Sequence, residues 1–362
     1  MNPLPPLDEL LEKVLEIKGS DLHLKVGSPP AFRIDGELHL SNLEPLTSQD
    51  TASYAEEILS ERVALAFEAT NEADFAFGKP SLGRFRVNCY RQRGSVNIVI
   101  RAVSPASQQF DELGLPAIAA SLCDNQRGLI LVSGPTGSGK STTLGAMIDH
   151  INTTRRANII TLEDPIEILH PDKKSIVSQR EVGVDTDSFA EGLRRVLRQD
   201  PDVILIGEMR DRETVEAALT AAETGHLVLS SLHTTDSHEC VNRIIDFFPA
   251  DQQQQVRLML AASMTAVLSQ RLIPRADGKG RVPAMEILVN SERVADRISD
   301  PSQTHTLPEV IAEGSFYGMQ SFDQAILHLY TSGAINFQDA LAHASNPTDF
   351  KLRAQTTGLM TA

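Results

Sequence analysis

Hydrophobic and polar positions in the first hundred residues repeat with both helical and strand periods. Apolar residues recur every three or four positions over residues 7–15, which predicts an amphipathic helix. Residues 21–26 alternate polar and apolar, as half-buried strands do, and Asp35-Gly36 predicts a hairpin turn. Residues 47–69 predict one helix, with Thr47 as its N-cap and Asp50 three residues later. Further strands are predicted at residues 74–77, 83–90 and 96–103.

The pattern changes after residues 104–116, which hold two prolines, two serines and Gly114 and are predicted to form a linker. Short, continuous apolar runs then alternate with helical stretches, which is typical of strands buried on both faces of a parallel sheet. The runs are residues 129–132, 158–161, 203–206 and 227–230, and the clearest helical stretches are residues 188–198 and 212–223. The predicted fold class is therefore α/β: an α+β domain over residues 1–103, then a doubly wound domain with C-terminal helices over residues 117–345.

Membrane spans and the C-terminal tail are judged from apolar content. Residues 258–268 form the most apolar helical stretch, which is shorter than the roughly 18 residues of a membrane span and is predicted to be a core helix. Residues 346–362 are polar and are predicted to form a flexible tail. The N-terminus shows no basic segment before an apolar run, so no secretory signal is predicted. We therefore expect a cytoplasmic protein without direct membrane insertion.

Composition narrows the class of protein. Lys and Arg number 33 against 48 Asp and Glu, so the formal charge is −15. This charge argues against a nucleic-acid partner, because such proteins need a basic face. The three cysteines, Cys89, Cys123 and Cys240, are too few and too scattered for a disulfide framework or a four-cysteine zinc site. Their number suggests a reducing compartment.

A phosphate-binding loop is the clearest candidate chemistry. Residues 134–141 fit the pattern G-x-x-x-x-G-K-[ST], follow a predicted strand and precede a predicted helix. The glycines let backbone N–H groups converge on phosphate oxygens, and the helix N-terminus adds partial positive charge. We expect Lys140 to reach the β- and γ-phosphates of ATP, and the Ser141 hydroxyl to bind Mg²⁺. The predicted nucleotide-binding residues are Gly134, Pro135, Thr136, Gly137, Ser138, Gly139, Lys140, Ser141 and Thr142.

Acidic and histidine side chains lie near the ends of the predicted central strands. Glu208 follows the apolar run 203–206 and is predicted to hold Mg²⁺ through water. Glu163 precedes a turn and is a candidate to position the attacking water, with helix capping or a surface turn as the alternative. His226 and His233 bracket the last central strand, roughly 23 Å apart at the usual strand rise. His233, at the C-terminal end, is the predicted phosphate sensor, and His226 is predicted to have a structural or interface role.

Residues 81–101 form an arginine-only stretch in this acidic chain. They contain no Lys, Asp or Glu but five arginines: Arg84, Arg86, Arg91, Arg93 and Arg101. Two interpretations are open from the residues alone. The arginines either form salt bridges and a solvated face, or they act as fingers that reach a nucleotide phosphate, also across a subunit boundary. Nucleic-acid binding is disfavoured, because only Phe85 and Tyr90 supply interleaved aromatic rings.

Together these motifs resemble the secretion-type hexameric ATPases, and most closely the retraction ATPases of type IV pili, the PilT/PilU group. The resemblance runs along nearly the whole chain. It is carried by the phosphate loop and by residues 19–24, 33–36, 83–88, 161–167, 205–211, 224–228 and 231–234.

The resemblance implies a PAS-like N-terminal domain and a RecA-like motor domain. It also implies assembly as a homohexamer, with ATP bound between the two domains. Six residues match the family's catalytic positions and are the catalytic candidates here. They are Arg86 and Arg101 (arginines that reach the phosphates), Glu163 (catalytic glutamate), Glu208 (Walker B acid), and His226 and His233 (histidine box).

The function that the resemblance implies is an Mg²⁺-dependent ATPase that powers pilus retraction and twitching motility. It would dock at the inner face of the cytoplasmic membrane through an inner-membrane pilus platform protein. Pilus-extension and type II secretion ATPases remain an alternative. They are longer, however, and many carry a four-cysteine zinc element that three dispersed cysteines cannot build.

A second alternative concerns the division of labour between pilus motors. PilT carries an Ala-Ile-Arg-Asn-Leu-Ile-Arg-Glu segment near its C-terminus. The equivalent residues 306–313 here lack both arginines, and Pro308 is predicted to interrupt them. Residues 318–324 resemble PilU. An accessory motor that depends on a paralogous pilus ATPase therefore stays open, as does an ATP-binding scaffold that docks to a motor.

Overall fold

The computed structural model describes residues 5–34, 36–103 and 109–356, which fold into two compact units. The first unit contains the described residues up to 103 together with residues 167–169. The second unit contains the described residues from 109 onward, apart from residues 167–169.

The first unit is built on one antiparallel sheet of six strands, in the order β3-β2-β1-β6-β5-β4. The predicted hairpin is present, with Ile34 opposite Glu37, while Asp35 lies outside the described residues. The first helix buries its predicted apolar face at Leu7, Leu10, Leu11 and Val14. The elements in chain order are α1 (Leu7–Glu16), β1 (Asp21–Leu24), β2 (Ala31–Ile34), β3 (Glu37–Leu40), α2 (Ser48–Ile58), α3 (Glu61–Thr70), β4 (Glu72–Lys79), β5 (Gly83–Gln92) and β6 (Ser95–Ala102).

The single helix predicted over residues 47–69 is two helices. Its start is as predicted, because Thr47 and Asp50 form a reciprocal capping box. Leu59 then leaves the helical conformation (φ −77°, ψ 115°), and Ser60 precedes α3 as its N-cap residue. Apolar side chains recur on both sides of this break, so the hydrophobic period does not reveal it.

The second unit is built on a seven-stranded sheet, in the order β13-β12-β7-β11-β10-β8-β9. All neighbours are parallel except β13, which pairs antiparallel with β12 at one edge. The strands are β7 (Gly128–Ser133), β8 (Asn158–Glu163), β9 (Ile176–Glu181), β10 (Val203–Ile206), β11 (Leu227–Leu232), β12 (Met264–Pro274) and β13 (Arg281–Val289). The helices are α4 (Phe110–Leu113), α5 (Ile118–Leu122), α6 (Lys140–Thr154), α7 (Phe189–Val196), α8 (Arg212–Glu223), α9 (Ser237–Asp246), α10 (Ala250–Ser263), α11 (Glu292–Ser299), α12 (Leu307–Glu313), α13 (Phe322–Thr331), α14 (Phe337–His343) and α15 (Pro347–Thr356).

The four predicted central strands are present, and their burial follows from side-chain alternation. Every residue of β7, β10 and β11 is buried. Leu129 and Leu131 pack into one hydrophobic cluster, whereas Ile130 and Val132 pack into another on the opposite face. A continuous apolar strand is thus covered by helices on both sides, which confirms the predicted α/β class with a parallel-sheet core.

The prediction that residues 258–268 form one core helix is wrong for residues 264–268. Helix α10 ends at Ser263, and Met264 (φ −66°, ψ 134°) starts strand β12 without an intervening turn. Strand β12 lies between β7 and β13, so both of its neighbours supply backbone hydrogen bonds. Sheet pairing therefore decides the conformation where the local apolar pattern fits a helix and a strand equally well.

Both predicted irregular segments contain helix. In the linker predicted over residues 104–116, residues 104–108 lie outside the described residues. Phe110 and Leu113 of α4 pack against the core of the second unit, and Leu115 is buried there. The prediction of a flexible tail over residues 346–362 is wrong for residues 347–356. Those residues form α15, because Phe350 and Ala354, one helical turn apart, bury completely in a C-terminal cluster.

The structure also bears on thiols and membrane spans. The three cysteines are free and buried, and burial raises the pKa of Cys89 and Cys123 to about 12 and that of Cys240 to about 11. Such thiols are poor nucleophiles.

Within residues 5–34, 36–103 and 109–356, no helix is long and apolar enough to cross a membrane.

Candidate active site

The phosphate loop connects β7 to α6 at the C-terminal edge of the second sheet. Gly134, Gly137 and Gly139 have φ values of +147°, +78° and +89°, in the region that favours glycine. Lys140 is the first residue of α6, and only 8% of it is exposed. Its Nζ donates to the carbonyl oxygens of Gly134 (2.8 Å) and Pro135 (3.1 Å). The loop is thus closed around the ammonium that is predicted to meet phosphate.

Lys140, His233 and Glu208 are brought together at the ends of three neighbouring strands, β7, β11 and β10. His233 follows β11, and its Nδ1 lies 3.4 Å from Lys140 Nζ. The other ring nitrogen, Nε2, lies 3.3 Å from Glu208 Oε2. The imidazole therefore bridges the ammonium and the carboxylate, which is the position that a sensor of bound phosphate would need.

Glu208 is largely buried, with 12% of its side chain exposed. Its second oxygen pairs with the guanidinium of Arg210, which also lies 3.8 Å from Asp164. Glu208 and Arg210 border a pocket of about 480 Å³, whose other lining residues include Met209, Thr234, Glu239 and Arg243. The pocket opens at the carboxyl end of the parallel strands, where sheets of this class bind ligands.

Glu163 ends β8, which pairs in parallel with β10, so Glu163 and Glu208 lie at the same sheet edge. Glu163 Oε1 accepts hydrogen bonds from the Thr161 hydroxyl (2.6 Å) and from Gln179 Nε2 (3.0 Å). Both donors are neutral, and they fix the orientation of the carboxylate. The predicted helix-capping alternative does not apply here, because Glu163 lies at a strand end.

His226 lies at the opposite end of β11 from His233. Its Nδ1 lies 2.9 Å from the Ala221 carbonyl oxygen and 3.4 Å from the Thr224 hydroxyl, which joins it to the end of helix α8. The structure thus does not bring His226 to the phosphate loop of its own chain. A strand of six residues, about 20 Å long, separates the two histidines. A catalytic role for His226 stays a prediction.

Arg86 and Arg101 lie in the first unit, directly opposite each other on β5 and β6. The same row continues across the sheet to Asp21 on β1 and Arg33 on β2. Asp21 is 2% exposed, and its carboxylate accepts from Arg101 Nε at 2.8 Å, with Arg33 Nε 3.8 Å away. Burial opposes the Asp21 charge, but hydrogen bonds from Ser20 and Arg101 outweigh it and hold the pKa of Asp21 below its ordinary value.

The other arginines of the stretch have different surroundings. Arg91 pairs with Glu68 at 2.5 Å and stacks on Phe67, with 5.0 Å between its guanidinium carbon and the ring centroid. Arg93 has a φ of +51° and precedes Gly94 in the turn between β5 and β6. Salt bridging therefore explains Arg91, whereas Arg101 keeps 61% of its side chain exposed even though Asp21 anchors it.

The side chains present fit a magnesium nucleotide. The positive-φ glycines form a concave turn of backbone, and a buried ammonium lies at its base. Mg²⁺ binds nucleotides through only one or two protein oxygens, and Ser141 and Glu208 are of the right type. Within the described part of the chain, no group of three or more His, Cys, Asp or Glu side chains could hold a metal ion by itself. Ser141 and Glu208 are the residues that would hold a magnesium ion bound to the phosphates of a nucleotide.

Two side chains of the site, Gln179 and Gln270, belong to no recognisable sequence motif. Gln179 on β9 links Glu163 to the chain beyond it, because its Oε1 accepts from the His170 backbone N–H at 2.8 Å. Gln270 on β12 contacts the phosphate loop through Ser138. Both are polar residues in strands that the apolar pattern did not predict, so sequence reasoning missed them.

Comparison with known proteins agrees with this geometry. The family model described as "Type II/IV secretion system protein" matches residues 5–309. The chain belongs to this family. Because its phosphate loop is intact and it belongs to a family of ATPases, this protein is an ATPase.

Relatives place the chain near the pilus motors of the type II/IV secretion family. It is 41% identical to the type IV pilus ATPase PilU of Pseudomonas aeruginosa, over 95% of this chain and 90% of PilU. It is 42% identical to the retraction ATPase PilT of the same organism, over 95% of this chain and 99% of PilT. Its fold matches a crystal structure of the pilus retraction motor PilT with bound ADP, with a TM-score of 0.88 and 44% identity over 96% of this chain and all of that one. The resemblance to the PilT/PilU group is thereby confirmed.

Proposed function

We propose that this chain is an ATP-driven motor that powers retraction of type IV pili. The observation that carries the proposal is the connected set Lys140, His233 and Glu208 at the end of the phosphate loop, in a chain that aligns along its length with PilT. Lys140 and the loop amides bind the phosphates, Ser141 and Glu208 hold Mg²⁺, and His233 senses the γ-phosphate. Bound Mg-ATP supplies the anhydride that is hydrolysed.

The contacts also support a division of labour between the two glutamates. His233 connects Glu208 to Lys140 at the phosphate loop, whereas the Thr161 hydroxyl and the Gln179 amide orient Glu163 Oε1. We assign metal binding to Glu208 and orientation of the attacking water to Glu163. If Glu163→Gln kept normal turnover while Glu208→Gln lost it, the assignment would be reversed.

The proposal includes an assembly and a location. The motor works as a homohexamer in the cytoplasm, docked on an inner-membrane pilus platform protein. Arg86 and Arg101 then contribute positive charge to the phosphates; Asp21 anchors Arg101, and Arg86 lies opposite Arg101 on the neighbouring strand. His226, at the far end of β11, has an interface or structural role.

The test of hydrolysis uses the purified protein. Lys140→Ala is expected to lower kcat/KM for ATP by at least about a hundredfold, because transition-state charge loses its buried counter-ion. Lys279→Ala removes a lysine from an exposed turn and is the matched control, expected at wild-type rate. Turnover of Lys140→Ala at the wild-type rate would refute the site.

A second candidate function is an accessory motor of the PilU kind. Sequence identity does not separate the two, since PilT and PilU of Pseudomonas aeruginosa are 42% and 41% identical to this chain. The specific observation is α12, which replaces the two arginines of the PilT segment by other residues. The prediction that Pro308 interrupts this segment is wrong. Pro308 lies in the first turn of α12, where proline is tolerated. Retraction that requires a paralogous ATPase even when this chain is present would favour the accessory role.

A further inference from the structure

Strand β12 runs beside the strand that leads into the phosphate loop. The two strands pair in parallel, with Ser269 opposite Ser133, the last residue of β7. Gln270 is the next residue and therefore lies against the loop that begins at Gly134. Only 2% of Gln270 is exposed, so its amide needs protein partners for both its oxygen and its NH₂ group.

Gln270 has both partners, one on each side of Lys140. Its Nε2 donates to the Ser138 carbonyl oxygen at 2.7 Å, and its Oε1 accepts from the Thr143 hydroxyl at 2.7 Å. Thr143 is itself 1% exposed. One side-chain amide thus ties the phosphate loop to the first turn of helix α6, with Lys140 between the two attachment points.

Two glycines of the loop, Gly134 and Gly139, lie against the same residue, Gln270. A Cβ at Gly134 would lie 2.4 Å from the Gln270 carbonyl oxygen, and one at Gly139 would lie 2.8 Å from Gln270 Nε2. Neither position therefore has room for a side chain. Gln270 therefore packs directly against the loop at both glycines and limits the path that the loop can follow.

We propose that Gln270 is a positioning residue for nucleotide binding. Its side-chain amide holds the phosphate loop in the phosphate-binding conformation before the nucleotide arrives. The inference deepens the proposed function and rests on the ATP site assigned there. A loop that is already ordered loses less conformational entropy on binding, so Gln270 affects affinity more than the chemical step.

The test compares Gln270→Met with wild type, since methionine keeps the length of the side chain and removes both hydrogen bonds. We expect KM for ATP and Kd for N-methylanthraniloyl-ADP to rise about tenfold, with kcat within about threefold of wild type. Gln253→Met is the matched control, because Gln253 also donates from Nε2 to a backbone carbonyl, that of Phe248, and both residues lie outside the loop and outside strands β7, β12 and β13. It is expected to leave KM and Kd unchanged.

Thr143→Val provides an independent variant that removes one of the two hydrogen bonds with little change in shape. We expect Kd for the ADP analogue to rise about threefold in this variant. The increase in Tm that saturating ADP gives to wild type should shrink in both variants. A merely structural role would instead lower Tm without nucleotide and leave the ADP-induced increase unchanged.

The outcomes separate this inference from the proposed function. Wild-type KM and Kd in both variants would overturn the role of Gln270, as would a loss confined to kcat. If Gln270→Met does not fold, the Thr143→Val result decides. Failure of the wild-type protein to bind ADP at all would instead overturn the nucleotide site on which the inference rests.

Discussion

At the scale of single residues, two of the predicted catalytic side chains are held by a neighbour of opposite charge or by neutral polar side chains. Asp21 holds Arg101, and Gln179 with Thr161 holds Glu163. Each holding contact fixes one atom of the side chain and limits the orientations that the rest of it can adopt. Substitutions at the holding residues should therefore reduce turnover without abolishing it.

Gln179→Met removes one of the two hydrogen bonds that orient the Glu163 carboxylate. We expect kcat to fall about three- to tenfold, with KM for ATP within about twofold, because water orientation matters only in the chemical step. Steady-state ATP hydrolysis gives both constants. Gln254→Met, a surface glutamine on α10, is the control. An unchanged kcat, or a rise in KM alone, would show that Gln179 does not act through Glu163.

Asp21→Asn removes the charge that anchors Arg101 in the first unit. Because Arg101 would then sample other conformations, we expect kcat of the assembled protein to fall about threefold or more. Asp74→Asn is the matched control, since Asp74 also accepts a side-chain hydrogen bond, from Asn88. Equal turnover in Asp21→Asn and wild type, measured in the same ATPase assay, would mean that the Asp21 contact does not support a finger role.

At the scale of elements, the central strands could be predicted and the flanking ones could not. Strands β7, β8, β10 and β11 each contain a short apolar run, and such runs mark strands that are covered on both faces. Strand β12 looks like the end of a helix because only its pairing with β7 and β13 makes it a strand. The α15 helix was missed for a similar reason, since two buried residues in a polar segment give no visible period.

Glu286 on β13 anchors the start of helix α9, because its Oε1 accepts from the Ser237 backbone N–H at 2.9 Å. Burial raises the pKa of Glu286 above its ordinary value. The folded state therefore binds this proton more tightly than the unfolded state does, and stability falls as pH rises through the interval between the two pKa values. At neutral pH the buried carboxylate is a cost.

Glu286→Gln keeps the acceptor oxygen and removes the charge. We expect its Tm at pH 7 to exceed that of wild type by about 2–4 °C, which corresponds to about 1 kcal/mol for a unit of this size. The difference should vanish below pH ~4, where both states of wild type carry the proton. Thermal unfolding between pH 3.5 and 8 tests this, with exposed Glu309→Gln as control. A difference that does not vary with pH would contradict it.

At the scale of the whole molecule, the phosphate loop and the family could be predicted because short motifs carry them. The predicted set Lys140, Glu208 and His233 comes together at one sheet edge, because all three follow parallel strands that end there. The supporting residues could not be predicted, since Gln179 and Gln270 are ordinary polar residues whose role depends on which strands become neighbours. The proposed ring would also depend on surfaces between copies, which the sequence pattern of one chain does not mark.

The central claim is that ATP hydrolysis at the phosphate loop drives pilus retraction. The most direct measurement counts surface pili and twitching in a deletion strain that carries either the wild-type gene or the Lys140→Ala variant. The account predicts that deletion gives excess pili without twitching, that wild type restores both to normal, and that Lys140→Ala behaves like the deletion. Loss of pili on deletion, or full twitching with Lys140→Ala, would contradict it.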